Sequence, residues 1–318
     1  MGAQLRVYRR RIRSVQSTKK ITKAMELIAA SRIAKAQARM KAARPYAEEL
    51  TRALAALGKN ASLKHPMLTG VESPQRAGVL VVTSDRGLAG GYNSNALKRA
   101  NEVAGRLRGE SKDVVWYVIG RKGAAYYNFR HVTLSGTWTG FSEQPNFLDA
   151  REATETVVKA LTATSANEAN GEPGIDELYV VYTKFENSVS QTPTVALVSP
   201  VKGAAEDGDD GERGEDKEQA KNDTPTALYE FEPEPEELIA ALLPRYISAR
   251  IFSALLESAT SESAARRRAM KSASDNATDL IKTYTRLANQ ARQAEITQEI
   301  SEIVGGAEAL AGAGSDER

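Results

Sequence analysis

The chain has 318 residues, 41% of them apolar and only 6% aromatic, which is enough for one or two globular cores but argues against a compact all-β chain. Its 43 basic and 41 acidic residues leave a formal charge of +2, which removes a whole-chain electrostatic case for nucleic acid. With no Cys and only His65 and His131, disulfides, thiol nucleophiles and thiolate- or histidine-based metal centres are excluded.

The charge is unevenly spread. Residues 1–44 hold 13 basic residues and a single acid, Glu26, a local charge of +12, and the remaining 30 bases and 40 acids put −10 on the rest. From Ala3 to Arg44 there is neither Gly nor Pro, and Leu5, Tyr8, Ile12 and Val15 recur at steps of three and four, a helix seam. The same register returns at Ile33, Ala36, Met40, Ala43, Ala47, Leu50, Leu54 and Leu57. It passes Pro45, whose missing donor predicts a bend, and ends at Gly58. In between, the seam falls on Lys19, Thr22, Glu26 and Ala29, while Ile21, Met25, Leu27 and Ile28 point elsewhere. The helix is therefore expected to show apolar groups off its own seam. No apolar run approaches the ~20 residues of a bilayer span, and the first thirty residues lack the apolar stretch of a secretory signal. A soluble, intracellular chain is the expectation, although the Arg-rich, acid-poor start also has the composition of a mitochondrial transit peptide.

The middle alternates. Residues 78–84 and 114–120 are short apolar, β-branched runs on either side of a helical stretch from Asn93 to Arg108, a βαβ unit. A helix from Arg121 to Asn128, a strand near Val132, a helix from Phe147 to Thr162 and strands at 178–185 and 194–200 follow. The pattern predicts a mostly parallel sheet covered by helices, its last two strands paired as a hairpin. The turn after the first strand, SDRGLAGGYN, carries Gly87, Gly90 and Gly91, without the spacing of a dinucleotide or P-loop fingerprint. A structural turn whose glycines supply positive φ is the better reading, with Asp85 and Arg86 as a local ion pair. Neither carboxylate pairing nor a partner for Ser84 singles out catalytic groups, so no catalytic, cofactor or metal residues are assigned.

Two segments look inserted: the polar 164–176 and an acidic stretch with eight acids between 206 and 218, which cannot bury a core and is expected to be disordered. Arg245 to Val304 is then a second stretch of 60 residues without Gly or Pro, roughly 90 Å if wholly helical. Its expected seam is Ile247, Ile251, Ala254, Ser258, Ser261 and Ala265, then Leu280, Tyr284, Leu287, Ala291 and Ala294. Small residues there permit close approach of a second helix. The fold class is α/β, with a long antiparallel coiled coil of N- and C-terminal helices flanking a Rossmann-like α/β domain. The domains are 1–58 (first coiled-coil helix), 76–200 (α/β domain with the 164–176 insertion), 201–226 (acidic insertion) and 236–310 (second coiled-coil helix). From the residues alone the readings are a scaffold or dimerisation rod, a nucleotide-binding α/β enzyme, or a coiled coil that binds nucleic acid through its basic arm.

At RRRIRSVQSTKKITKAMELIAASRIAKAQ (9–37), SDRGLAGGYN (84–93) and ESAARRRAMKSASDNATDLIKTYTRLANQARQAEITQEISEIVGGAEAL (262–310), the chain closely resembles the gamma subunit of rotary, F-type ATP synthases. YEFEPEPEELIAALLPRY (229–246) extends the match, leaving only 164–176 and 201–224 outside the family pattern. The resemblance implies that the basic first helix is functional structure rather than a transit peptide. It implies a central shaft inside a hexamer of alpha and beta subunits, with the epsilon subunit and the membrane c-ring as further partners, and no cofactor, no nucleic acid and no membrane span of its own. Proton-driven rotation of the ring would turn the shaft and drive the beta subunits through their cycle of ATP synthesis, on the cytoplasmic side of the cell membrane. Carried over by motif, Lys23, Met25, Arg266, Gln293, Thr297 and Glu299 are expected to couple the shaft to beta, and Tyr229, Phe231 and Glu232 to meet the ring and epsilon.

Overall fold

A computed structural model of the chain describes residues 3–60, 65–166, 168–169, 172–201 and 235–313. Two very long helices bracket the rest: α1, Ala3–Asn60, and α6, Pro235–Ala313. Between them lie α2 (Pro66–Thr69), β1 (Arg76–Val82), α3 (Tyr92–Gly109), β2 (Asp113–Ile119), α4 (Arg121–Phe129), β3 (Gly136–Trp138) and α5 (Phe147–Ala163). β4 (Glu168–Ala169), β5 (Glu172–Pro173), β6 (Glu177–Phe185) and β7 (Gln191–Ser199) complete the order. By its internal contacts the chain divides into two compact units, one made of the residues up to Ile28 with those from Arg267 onward, the other of Ala29–Arg266.

The larger unit is built on a five-stranded sheet of order β3-β2-β1-β6-β7. The first four strands are parallel, and β7 returns antiparallel to β6. Because successive side chains leave a strand on opposite faces, β1 supplies both cores. Ala77, Val79 and Val81 face Leu97, Ala100, Val103 and Leu107 of α3 and Ala124 and Tyr127 of α4. Leu80 and Val82 face Ala153, Val157 and Leu161 of α5, together with Leu54 of α1 and Ile239, Leu243, Ile247 and Ile251 of α6. Burial on both faces explains why these strands read as continuous apolar runs rather than as alternation. The sheet ends on a three-residue strand, β3, at one side. At the other it ends on β7, which carries Pro193 opposite Thr183 and an irregular register near Leu178 and Tyr179.

Several elements differ from the sequence reading. α1 does not stop at Gly58 but runs to Asn60, one glycine being a weak terminator when no left-handed cap follows it. The third strand begins at Gly136 rather than near Val132, because the Val132 amide closes the end of α4 on the Tyr127 carbonyl. The polar insertion contains the short β4–β5 hairpin; the acidic stretch 206–218 lies outside the described residues. α6 is, by length and composition alone, apolar enough to cross a membrane, contrary to the expectation, but Ile239, Leu243, Ile247 and Ile251 are buried against the sheet.

The smaller unit is an antiparallel pair of helical segments from α1 and α6, in which the rings of Tyr8 and Tyr284 lie 6.4 Å apart and the Arg11 guanidinium sits 5.7 Å from the Tyr284 ring centre. On α1 the expected seam is buried at Leu5, Thr22 and Glu26 and half-buried at Tyr8, Ile12, Val15 and Lys19. On α6 Met270, Ser274, Ala277, Ile281, Tyr284, Ala288 and Ala291 are buried or half-buried, spaced alternately by four and three as in a coiled-coil seam, and Ala269, Ala273, Thr278, Leu287 and Glu295 are half-buried beside it. Leu280 and Ala294, expected in that seam, are exposed. Apolar Leu280 and Ile281 are neighbours, and the small residues Ser274, Ala277 and Ala288 select the register that takes Ile281 inward.

Candidate functional site

The smaller unit carries most of the residues singled out in the sequence. Lys23 is exposed and pairs with Glu26 at 3.0 Å along the helix, and Met25 is half-buried. Gln293, Thr297 and Glu299 are all exposed on α6, the Thr297 hydroxyl donating to the Gln293 carbonyl at 2.9 Å. Around them stand apolar side chains that remain exposed among the described residues: Ile21 (58% exposed), Leu27 (61%) and Ile28 (54%) on α1, and Ile296, Ile300, Ile303 and Val304 on α6. A helix pair stabilised only by its own seam has no need of these groups. Exposed apolar residues on several faces of one rod are the mark of surfaces meant for other chains. Tyr229, Phe231 and Glu232 lie outside the described residues.

Arg266 is placed differently from the expectation. It belongs to the larger unit and is 5% exposed, so it presents no guanidinium to a partner. Its Nη2 donates to Glu262 Oε1 at 2.7 Å, and to the carbonyls of Arg86 at 3.2 Å and Gly87 at 3.3 Å. Its Nη1 lies 3.2 Å from Glu143 Oε1. The same Glu143 carboxylate pairs through Oε2 with Arg32 of α1, and with Arg86 at 3.5 Å. Glu262 is completely buried. Burial pushes its carboxyl up to about 7, against the pull of Arg266 and with the help of the nearby Glu143. Of this cluster the sequence reading named Arg266 as a functional residue and Arg86 only as a partner for Asp85. Glu262, four residues earlier on the same helix, was legible as an i,i+4 partner; Arg32 and Glu143 are joined to Arg266 by the fold alone.

The cluster fixes the glycine-rich turn. Ala89 and Tyr92 pack on Ala265, and Leu88 and Gly90 take φ values of +63° and +59°, the conformation that makes a glycine useful here. Asp85 does not pair with Arg86. Its carboxylate accepts from the backbone amides of Gly140, Ser142 and Arg121 at 2.8, 3.0 and 3.1 Å. The two amides that open the turn are already used, Ser84 N by Asn93 Oδ1 and Asp85 N by Ser142 Oγ. A phosphate cradle requires such amides free, and these two are spent on the turn's own chain. Among the described residues no group of His, Asp and Glu side chains is arranged to hold a metal ion.

Comparison with known proteins follows the same lines. Residues 4–310 match the model of the family described as ATP synthase. The chain is 53% identical over 322 residues to the ATP synthase gamma chain of Salinispora arenicola, covering 99% of this chain and 100% of that one. It is 54% identical over 321 residues to the gamma chain of Mycolicibacterium smegmatis, covering 98% and 99%. Among solved structures, a chain of the Euglena gracilis mitochondrial ATP synthase, from its OSCP/F1/c-ring assembly, superposes with a TM-score of 0.66 at 18% identity, covering 98% of this chain and 95% of that one. That last likeness is one of fold.

Proposed function

The chain belongs to the ATP synthase gamma chain family, and from that premise we propose how its surfaces share the work. It is a non-catalytic subunit, the central shaft of the complex. Rotation of the membrane ring turns it, and it drives the conformational cycle of the catalytic beta subunits. A rotor can shift a catalytic equilibrium only by the difference between its interaction energies with the two states, and the coupling is reciprocal, so hydrolysis must be able to turn it backwards. The observation that carries the reading is the set of uncovered apolar side chains on the helix pair, among them Ile21, Leu27, Ile28, Ile300 and Ile303, on a chain 53% identical to a gamma chain from end to end. One fixed interface would use one face. A shaft that meets several partner surfaces in turn uses them all.

Within that frame the exposed Lys23, Gln293, Thr297 and Glu299, with half-buried Met25, are the coupling contacts to beta, and Arg266 acts indirectly by holding the glycine-rich turn. Tyr229, Phe231 and Glu232 form the foot toward the ring and the epsilon subunit, and the assembly works on the cytoplasmic face of the cell membrane. The test is the double change Thr297→Ala and Glu299→Ala in the assembled complex. ATP hydrolysis and subunit composition are expected to stay near wild type while ATP-driven proton pumping falls at least about fivefold, the lower end of a typical coupling energy. Full pumping in the double variant removes both residues from the coupling surface.

A further inference from the structure

In the larger unit, α1 and α6 are tied to the sheet domain by a charged junction whose shared carboxylate is largely buried. α1 crosses out of this unit between Ile28 and Ala29, and α6 between Arg266 and Arg267. Within one helical turn of those points, Arg32 and Arg266 converge on the one carboxylate of Glu143, which comes from the segment between β3 and α5. The Glu143 side chain is 13% exposed, that of Arg266 6% and that of Arg32 26%. We propose that Glu143 is a positioning residue, a clamp that locks both long helices to the sheet domain where they leave it, so that twist is transmitted between them instead of being lost as slip.

The reason to assign a mechanical rather than a stabilising role lies in what surrounds the junction. From Ala254 to Arg266, α6 is enclosed on nearly every side, yet the enclosed residues include Ser258, Thr260, Ser261, Glu262 and Ser263. An all-round buried helix is ordinarily apolar. Here small hydroxyls replace large interlocking side chains, and the grip on neighbouring elements is by directed bonds: Ser261 Oγ to the Thr183 carbonyl at 2.9 Å, the Thr183 amide to Ser258 Oγ at 3.2 Å, and Tyr92 Oη to the same Ser258 Oγ at 3.0 Å. All of these hold one side of α6. Apolar packing of Leu54 also reaches α1, but the ion-paired link that joins α1 to α6 runs through Glu143, over 111 and 123 residues of sequence. Buried ion pairs add little net stability over apolar packing, but they are screened little by salt, and removing one partner strands the other.

The inference rests on the shaft reading and is tested in the assembled membrane complex. Glu143→Gln keeps shape and removes the shared charge; Arg32→Gln cuts only the arm to α1. In inverted vesicles energised with ATP, the initial pumping per ATP hydrolysed, measured against little opposing gradient, is expected to stay within about twofold of wild type in both variants. The gradient sustained at steady state, per ATP hydrolysed, is expected to fall at least about fivefold, and Glu143→Asp should recover part of it. A purely structural role would lower hydrolysis and pumping together and would not depend on load, and that result overturns the clamp. So does a wild-type steady gradient in Arg32→Gln, which decides the matter if Glu143→Gln assembles poorly. Should the wild-type chain fail to purify with alpha and beta subunits, the shaft reading itself falls, and the clamp with it, before any variant is compared.

Discussion

Glu262 offers a test of how buried charge is balanced in this chain. Its folded-state value of about 7 stands above the ordinary 4.5, so between those limits the native chain keeps a proton that the unfolded chain has released. The stability attached to this group is fully present below pH 4.5 and is lost as the pH rises through about 7. The 2.5-unit difference corresponds to about 3 kcal/mol. Replacing Glu262 by Gln leaves the shape and removes the titration. The variant should match wild type near pH 4.5, gain on it steadily, and exceed it by about 3 kcal/mol at pH 8. Urea unfolding of the full-length chain, followed by circular dichroism at several pH values, reads this directly as the difference between the two extrapolated free energies. A difference that does not change with pH, or a Gln variant weaker than wild type at pH 8, refutes the reasoning. Either result would mean that the attraction of Arg266, 2.7 Å away, outweighs the cost of burying the carboxylate. A more stable but less tightly coupled variant would place Glu262 among residues kept for function at the expense of stability.

Gly120, at the β2–α4 turn, has φ of +103°, and a Cβ there would stand 2.2 Å from the Thr83 carbonyl oxygen; Gly120→Ala should cost about 3 kcal/mol or more and lower the thermal midpoint of the full chain. Leu243 is fully buried where α6 meets the sheet, and Leu243→Ala should cost about 2–5 kcal/mol by urea unfolding. For Asp176, burial pushes the carboxyl up, but the backbone amides of Ser165, Arg76 and Gln75 outweigh it and hold the group below its ordinary 3.8. Its stabilisation is therefore present above pH 3.8 and lost as the pH falls further. Asp176→Ala should cost about 1–3 kcal/mol at pH 7, and the gap to wild type should narrow as both are titrated below pH 4.

The α/β core was legible because it follows local rules. Strands buried on both faces read as Val- and Leu-rich runs, the intervening helices show their periodicity, and the hairpin of β6 and β7 needs only two adjacent runs. The long helices were legible from the absence of Gly and Pro, and the off-seam Ile21, Leu27 and Ile28 were already visible as a departure from a simple coiled coil. What the sequence hid was long-range. Nothing near Glu143 announces Arg32 or Arg266, and nothing in SDRG shows that Asp85 turns to the amides of Gly140 and Ser142 instead of to Arg86. The inward place of Arg266 was hidden for the same reason. In ARRR three cations look alike, and only the packing of Ala265 against Ala89 and Tyr92 decides that the first of them points inward.

The borders of the sheet bear on the chain's life before assembly. A strand at the margin of a sheet offers a row of unpaired amides and carbonyls on which another chain can build. β3 is three residues long, too short a template to hold a foreign strand. β7 has a proline at 193, which has no amide hydrogen to donate, and a register break along its pairing with β6, so it is neither a complete row of donors nor straight. A protein whose helices show bare isoleucines until partners enclose them has one route to aggregation open; the shape of its sheet margins closes the other.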